Sequence, residues 1–324
     1  MLPGLLSAIA ALSIDRNRLS LCLYLDDCRD GSGALLERLG ATLPFRLVVA
    51  RGGDRGAPNA GAARRAALAM GLDLLAGGEG ALFTTDADSQ PGRDWVAAGL
   101  RALGKAEVAA GRIVRRDAAA DPQQCRIEAY YDRLHRHRRI VDPVPWEARD
   151  THHFSGGANI AIRASAYRTL GGVQPLPSGE DARLLDDAGR AGMRVRRDGA
   201  MLVETSSRRE GRIAGGLAEL LRALDQGEPP RLTDPREAAW QWRGQAAARA
   251  GFAEIDRVNV RTALGDRLGL TADHILGVAR DCPNAQAFAM RVVPAPPGPG
   301  TSVTLSEAEA LLTELEGQGC GIAA

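Results

Sequence analysis

Two aspartates two positions apart, Asp86 and Asp88, stand directly after the apolar run 81–85. Side chains alternate along an extended chain, so both carboxylates are expected to point the same way. Such a pair suits a hard divalent cation, Mg²⁺ or Mn²⁺, which keeps coordination positions for the oxygens of a diphosphate. A polar loop that caps a turn has the same spelling, and the pair alone leaves both readings open. A second acidic pair, Glu180-Asp181, follows Pro175-Leu176-Pro177 and opens a helical stretch at 182–191. Carboxylates at a helix start satisfy free backbone N–H groups and meet the positive end of the dipole. The same field favours an ionised Asp181, the form that takes a proton from an attacking hydroxyl. Between the two pairs, Ser155-Gly156-Gly157-Ala158-Asn159 leads into an apolar strand; its glycines either bring backbone close to a ligand or form a turn. Finally, Arg208, Arg209 and Arg212 follow the strand-like 200–204. Arginines after a strand end can fork onto phosphate oxygens, or can line a solvated loop.

Positioning these groups requires a sheet. Residues 1–225 alternate short apolar runs with Ala/Leu/Arg-rich stretches, the pattern of an α/β fold with a mostly parallel sheet and flanking helices. Strands are expected at 19–25, 45–50 and 81–85, and a helix at 60–76. Ligands of open α/β sheets bind beyond the carboxyl ends of the strands, where Asp26, Asp86 and Asp88 fall. After Arg222 the pattern is broken by Gly227-Glu228-Pro229-Pro230, so a boundary is expected near 225, followed by a mainly helical extension over 226–324 with a Pro/Gly linker at 294–300. Asp234-Pro235-Arg236-Glu237 has the form of a helix start, and Ser306 with Glu309 repeats the capping logic. No catalytic motif occurs in this last third.

The 324 residues carry 41 Lys and Arg against 40 Asp and Glu, which argues against generic nucleic-acid binding. The longest apolar stretch, 5–12, falls short of the roughly 20 residues a membrane helix needs, which leaves peripheral membrane contact open. Five scattered cysteines without a Cys-x-x-Cys pair suggest neither a disulfide frame nor a zinc site, and a reducing, cytoplasmic setting is expected. The basic and aromatic run 130–139 is expected as a solvated helix or an acceptor-side contact, and His152-His153 as loop.

Taken in order, Asp26, the helix opening Asn59-Ala60-Gly61-Ala62-Ala63-Arg64, Asp86-Ala87-Asp88, Gly157-Ala158-Asn159, Gly179-Glu180-Asp181 and the late arginine cluster resemble a family 2 glycosyltransferase of the GT-A type. The resemblance covers residues 1 to about 225. It implies inverting transfer of a sugar from a nucleotide-diphosphate donor to an acceptor hydroxyl. Asp26 would contact the nucleotide base, Asp86 the ribose side of the donor, and Asp88, supported by Asp86, the cation. Asp181 would be the general base, with Asn59, Arg64 and Glu180 among the substrate-binding residues. Arg208 and Arg212 would assist the departing diphosphate, and Gly157, Ala158 and Asn159 would line the sugar and acceptor side.

One departure stands out. Family members usually begin with an apolar strand ending in a Pro-x-x-Asn-Glu type loop, in the middle of the sheet, whereas Met1-Leu2-Pro3-Gly4 goes straight into a helix. Removing a central strand would leave buried backbone groups unsatisfied, at about 1–3 kcal/mol each. An upstream strand is therefore expected in the working protein. Two other functions compete. A haloacid dehalogenase-type phosphatase also uses two aspartates two apart after a strand, but wants Thr or Val four positions beyond the first, where Gln90 stands. A truncated or degenerate GT-A fold would bind sugar nucleotide or a partner without turnover.

Overall fold

The apolar runs and helix formers of the first 115 residues become α1 (Leu2–Ala10), β1 (Ser20–Leu25), α2 (Ser32–Gly40), β2 (Arg46–Arg51), α3 (Ala60–Leu74), β3 (Ala81–Thr84), β4 (Gln90–Pro91), α4 (Trp95–Leu103) and β5 (Val108–Arg115). The computed structural model describes residues 1–53, 58–211, 216–296 and 302–320. The chain continues through α5 (Pro122–Val141), β6 (Ile160–Arg163), α6 (Ala164–Thr169), α7 (Glu180–Arg190) and β7 (Val195–Thr205). Then come α8 (Leu217–Asp225), β8 (Arg231–Thr233), α9 (Pro235–Gly251), α10 (Val258–Leu268), α11 (Ala272–Arg280), α12 (Ala285–Val292), β9 (Ser302–Thr304) and α13 (Leu305–Cys320). The fold is α/β, with a central sheet, flanking helices and further helices at the C-terminal end.

The largest sheet has the order β3-β6-β5-β7-β4. Both β3 and β5 run antiparallel to β6, and β7 runs parallel to β5, so three of the five strands share one direction. β1 and β2 form a separate parallel pair, in register from Ser20 opposite Arg46 to Leu25 opposite Arg51. One face of the large sheet packs Ala109, Ala161, Met201 and Val203 against α1 and α4, through Leu5, Leu6, Ile9, Trp95 and Val96. The other packs Val108, Ala110, Ile160 and Ile162 against α3, α6 and α7, through Leu68, Tyr167 and Leu184. β5 and β6 are apolar on both faces because both faces are covered.

The C-terminal helices have a core of their own, with Ile275 and Phe288 fully buried. A second cluster joins α5 to this region: Ile127, Tyr130 and Leu134 pack with Leu232, Val303, Leu305 and Leu312. The expectation of a solvated helix at 130–139 is thereby overturned. Tyr130 and Leu134 are buried where the C-terminal third covers α5, His137 is buried as well, and His135 is buried against Thr151 and Glu147. At the α9 start Asp234 behaves as expected, its side chain accepting from the Arg236 N–H ahead of Pro235. The α13 cap lies two residues earlier than expected. Thr304 and Glu307 exchange bonds, Glu307 Oε2 accepting from the Thr304 N–H at 2.8 Å, while Ser306 and Glu309 turn outward to Arg126. Among the described residues, no helix is long and apolar enough to cross a membrane.

Candidate functional site

β3 ends at Thr84, and the acidic pair stands on the turn that follows, closed by the Ser89 N–H donating to the Asp86 carbonyl at 3.0 Å. The pair is therefore not held by strand alternation, and its two carboxylates take different partners. Asp86, its side chain 44 % exposed, accepts from Arg64 Nη2 at 3.2 Å. Asp88, 14 % exposed, meets Arg208 Nε at 2.9 Å. Both line one cavity of about 2080 Å³, together with Asp26, Asn59, Arg64 and Arg208. The residues expected at the carboxyl ends of β1 and β3 thus converge on one space.

Arg64 is the hub. It projects from α3, whose first turn is capped by Asn59 Oδ1 accepting from the Ala62 N–H at 2.7 Å. Its guanidinium donates to Glu180 Oε1 at 2.9 Å, to the Gly157 carbonyl at 2.8 Å and to Asp86. Burial alone would favour a neutral guanidine, but the charges of Asp86, Glu180 and Asp181 outweigh it and raise the Arg64 pKa further. Glu180 is buried behind Arg64 at the start of α7. Asp181 accepts from the Gly157 N–H at 2.6 Å with one oxygen and from the Ala182 N–H at 2.7 Å with the other. Gly157 is therefore held through its N–H by Asp181 and through its carbonyl by Arg64. A Cβ there would fall 2.3 Å from the Arg64 guanidinium, so only glycine leaves room for this clasp.

Two expected binding residues are taken up by the fold. Asn159 is fully buried, accepts from Trp95 Nε1 at 2.8 Å, and donates to the Arg112 and Met201 carbonyls at 2.8 Å each. Every hydrogen-bonding group of its amide except one lone pair is engaged, so this side chain fixes the β5–β7 region instead of reaching a ligand. Ala158 is likewise buried beside it. Arg212 lies outside the described residues.

Sequence reasoning missed Arg116, which donates from Nη2 to the Asp88 carbonyl at 2.7 Å and pins the acidic turn from the end of β5. It also missed the Arg112–Asp132–His153 group. Asp132 accepts from Arg112 Nη1 at 2.8 Å and lies 2.7 Å from His153 Nδ1. Burial would raise the Asp132 pKa, but these two partners hold it well below the usual carboxylate range. Charged residues inside an apolar strand, such as Arg112, were the one available signal.

A divalent cation fits the donor set in a limited way. Among the described residues no group of three or more His, Cys, Asp or Glu side chains comes together, so the protein offers two carboxylates at most. That is the chemistry of a Mg²⁺-like ion completed by phosphate oxygens and water. The Arg208 guanidinium now supplies the positive charge opposite Asp88.

No protein-family model matches the chain, and no curated protein matches it. Solved structures with a similar course of the chain include residues 1–349 of S. aureus TarS in complex with UDP-GlcNAc. It is 14 % identical, with 90 % of this chain and 86 % of that chain covered, at a TM-score of 0.49. A mannosyltransferase of Pyrobaculum calidifontis in complex with GDP-Man and Mn²⁺ is 14 % identical, covering 100 % and 84 %, at 0.47. GalNAc-T7 with UDP, GalNAc and Mn²⁺ is 12 % identical, covering 85 % and 52 %, at 0.42.

Proposed function

We propose that the chain is an inverting glycosyltransferase of the GT-A type that moves a sugar from a nucleotide-diphosphate donor to an acceptor hydroxyl. One observation carries the reading: Asp26, Asp86, Asp88 and Arg208 share a cavity whose wall, Arg64, is bonded to the same glycine that Asp181 holds. Asp26 contacts the nucleotide base and Asp86 the ribose side. Asp88, supported by Asp86, would hold Mg²⁺ or Mn²⁺, which supplies charge neutralisation for the diphosphate. Arg208, and Arg212 with it, receives the departing diphosphate as the bond to the anomeric carbon breaks. Asp181 takes the proton of the acceptor hydroxyl as its oxygen attacks from the opposite face, so the configuration inverts without a covalent enzyme intermediate. The Gly157 segment lines the sugar and acceptor side through its backbone. Residues 1–225 carry the site, and 226–324 buttress it through α5.

The test is product formation from a panel of UDP and GDP sugars with Mn²⁺, across candidate hydroxyl acceptors. Asp181→Asn is expected to lower kcat by about 10²–10⁴-fold, the usual worth of a general base, while donor binding by thermal shift is retained. Asp88→Asn is expected to abolish the Mn²⁺-dependent part of that thermal shift. An Asp181→Asn protein with undiminished turnover would remove the base assignment. Donor binding without product from any acceptor would favour the binding-only reading, for which the break between the two sheets speaks.

A further inference from the structure

A second cavity, of about 180 Å³, lies where α5, α7 and the start of β7 meet α9 and α12 of the C-terminal region. Four arginines line it: Arg138 and Arg139 from the last turn of α5, Arg197 from β7 and Arg249 from the last turn of α9. Three carboxylates share the wall, Asp142, Glu147 and Asp186. Asp186 is already engaged by Arg190 at 2.7 Å, outside the cavity. Four guanidiniums therefore face two carboxylates.

Those two are used at one end. Arg249 donates from Nη1 to Asp142 Oδ1 and from Nε to Gln286 Oε1 at 3.1 Å. Arg139 stands 3.6 Å from Asp142 Oδ2 and 3.7 Å from Glu147 Oε2, ion pairs too long for hydrogen bonds. Glu147 Oε1 is committed to the Arg197 and Ala148 N–H groups. Arg138 reaches only the Gln245 amide oxygen, at 3.4 Å, and the face of Trp242. The Arg197 side chain donates to no acceptor among the described residues. The Nε atoms of Arg138, Arg139 and Arg197 are fully enclosed without a hydrogen-bond partner, and Asp142 Oδ2 accepts no hydrogen bond. Burial, with the charges of Arg139 and Arg197, pushes the Arg138 pKa down to about 9, and burial lowers those of Arg139 and Arg197 as well. All remain protonated at neutral pH. An uncompensated charge withdrawn from water is strongly unfavourable, so the arrangement wants a counter-ion.

The wall defines its chemistry. Two unmatched positive charges suit a dianion, and guanidinium forks suit an ion with several separated oxygens. Asp142 Oδ2 adds an acceptor, which suits a ligand with a hydroxyl proton beside its charged oxygens. Phosphate has one as P–OH and sulfate has none. Val144, Trp146 and Met290 close the cavity with apolar surface. We propose that this cavity binds a phosphoryl dianion, as free phosphate or as the head of a small hydroxylated phosphomonoester, with Arg138 and Arg197 as its main donors and Arg139 and Arg249 beside them. The site is separate from the large cavity, with which it shares no lining residue among those described. A bound phosphoryl group would bridge β7 to α9 and so tie the sheet region to the C-terminal helices.

The test uses the full chain carrying Arg208→Gln as the parent, so that phosphate held in the large cavity does not contribute. No nucleotide sugar or divalent cation is present, which keeps the result independent of the proposed transfer. Sodium phosphate is titrated at constant ionic strength and followed by calorimetry, melting and amide exchange. One phosphate per chain is expected, with the melting temperature raised by about 3 °C or more at a hundredfold excess over Kd. Exchange should slow within 138–147 and 182–189. Arg138→Gln and Arg197→Gln should each weaken phosphate binding by about 10- to 100-fold, the worth of a hydrogen bond to a charged group, while Arg190→Gln leaves it unchanged. Should the first two variants fail to fold, the exchange footprint on the parent decides alone. β-Glycerophosphate separates the two sources: tighter binding than phosphate assigns the site to a phosphomonoester, and equal or weaker binding to free phosphate. No binding at about 10 mM phosphate, an equal shift from sulfate or chloride at the same ionic strength, a footprint elsewhere, or undiminished affinity in both variants would each overturn the proposal and leave the cavity to water.

Discussion

At the scale of single residues, burial decides which polar groups work and which only hold. Arg64 is charged because three carboxylates surround it, and Asn159 is consumed by three internal hydrogen bonds. The same balance yields a pH response away from the cavity. His152 is fully buried, neither ring nitrogen has a hydrogen-bond partner among the described residues, and burial, with Arg197 and Arg112 nearby, pushes its pKa down to about 3. Burial likewise brings His135 down to about 4, against the opposing pull of Glu147. The folded state thus binds fewer protons than the unfolded one below about pH 6.5, the ordinary histidine value. Glu147 has its pKa lowered to about 2: burial would raise it, but His135, the Arg197 N–H and the Arg197 charge outweigh that. Its contribution is present above its ordinary value near 4.5 and fades as pH falls toward 2. The melting temperature should therefore be flat from pH 8 to 6.5 and fall between 6.5 and 4, as stability drops by at most about 1.4 kcal/mol per pH unit for each histidine. In His152→Leu that slope should be shallower, and a titration of melting points for the two proteins checks it.

Elements bring the distant parts of the site together, and α3 does most of this. Its first turn clamps the segment before α7. The Gly61 N–H donates to the Leu176 carbonyl at 2.9 Å, and Asn59 Nδ2 donates to the Pro175 carbonyl at 3.0 Å. A Cβ on Gly61 would lie 2.3 Å from the Gln174 carbonyl oxygen, a backbone atom that has little room to give. Gly61→Ala should therefore shift α3 or the 174–177 segment and cost about 1–3 kcal/mol, as overpacked sites do. Gly277→Ala is the control, because nothing lies within 4 Å of its Cβ position on the exposed side of α11. It should stabilise by about 0.5–1 kcal/mol. Denaturant melts of the two variants measure the contrast. The clamp was half legible in the sequence. Asn59 at a helix start and Glu180-Asp181 at another were visible as local signals, but the contacts of Asn59 with Pro175 and of Arg64 with Glu180, each across 116 residues, were not.

At the scale of the whole molecule, the last hundred residues are bound to the first two hundred through α5. Ile127, Tyr130 and Leu134 are covered by Leu232, Val303, Leu305 and Leu312, and each large apolar side chain so buried contributes about 1.5–3 kcal/mol. The outer ion pairs Arg126–Glu309 and Arg133–Glu316 add little by comparison. A chain ending at residue 225 should therefore lose its cooperative melt or aggregate, even though the expected boundary falls there. Size-exclusion chromatography and a thermal melt of that fragment decide the point.

What the amino-acid order determined by itself was local: where apolar runs make strands, where Asp234 and Asn59 start helices, and which carboxylates and arginines follow strand ends. These depend on neighbours a few positions away, and periodicity and capping chemistry record them directly. The tertiary structure alone decided that Asn159 is spent inside the fold, that Arg64 ties Asp86 to Glu180 and Gly157, and that one side of α5 is buried despite its charges. Those outcomes rest on contacts between segments far apart in the chain, where burial and the company of other charges override the preferences of the residue itself.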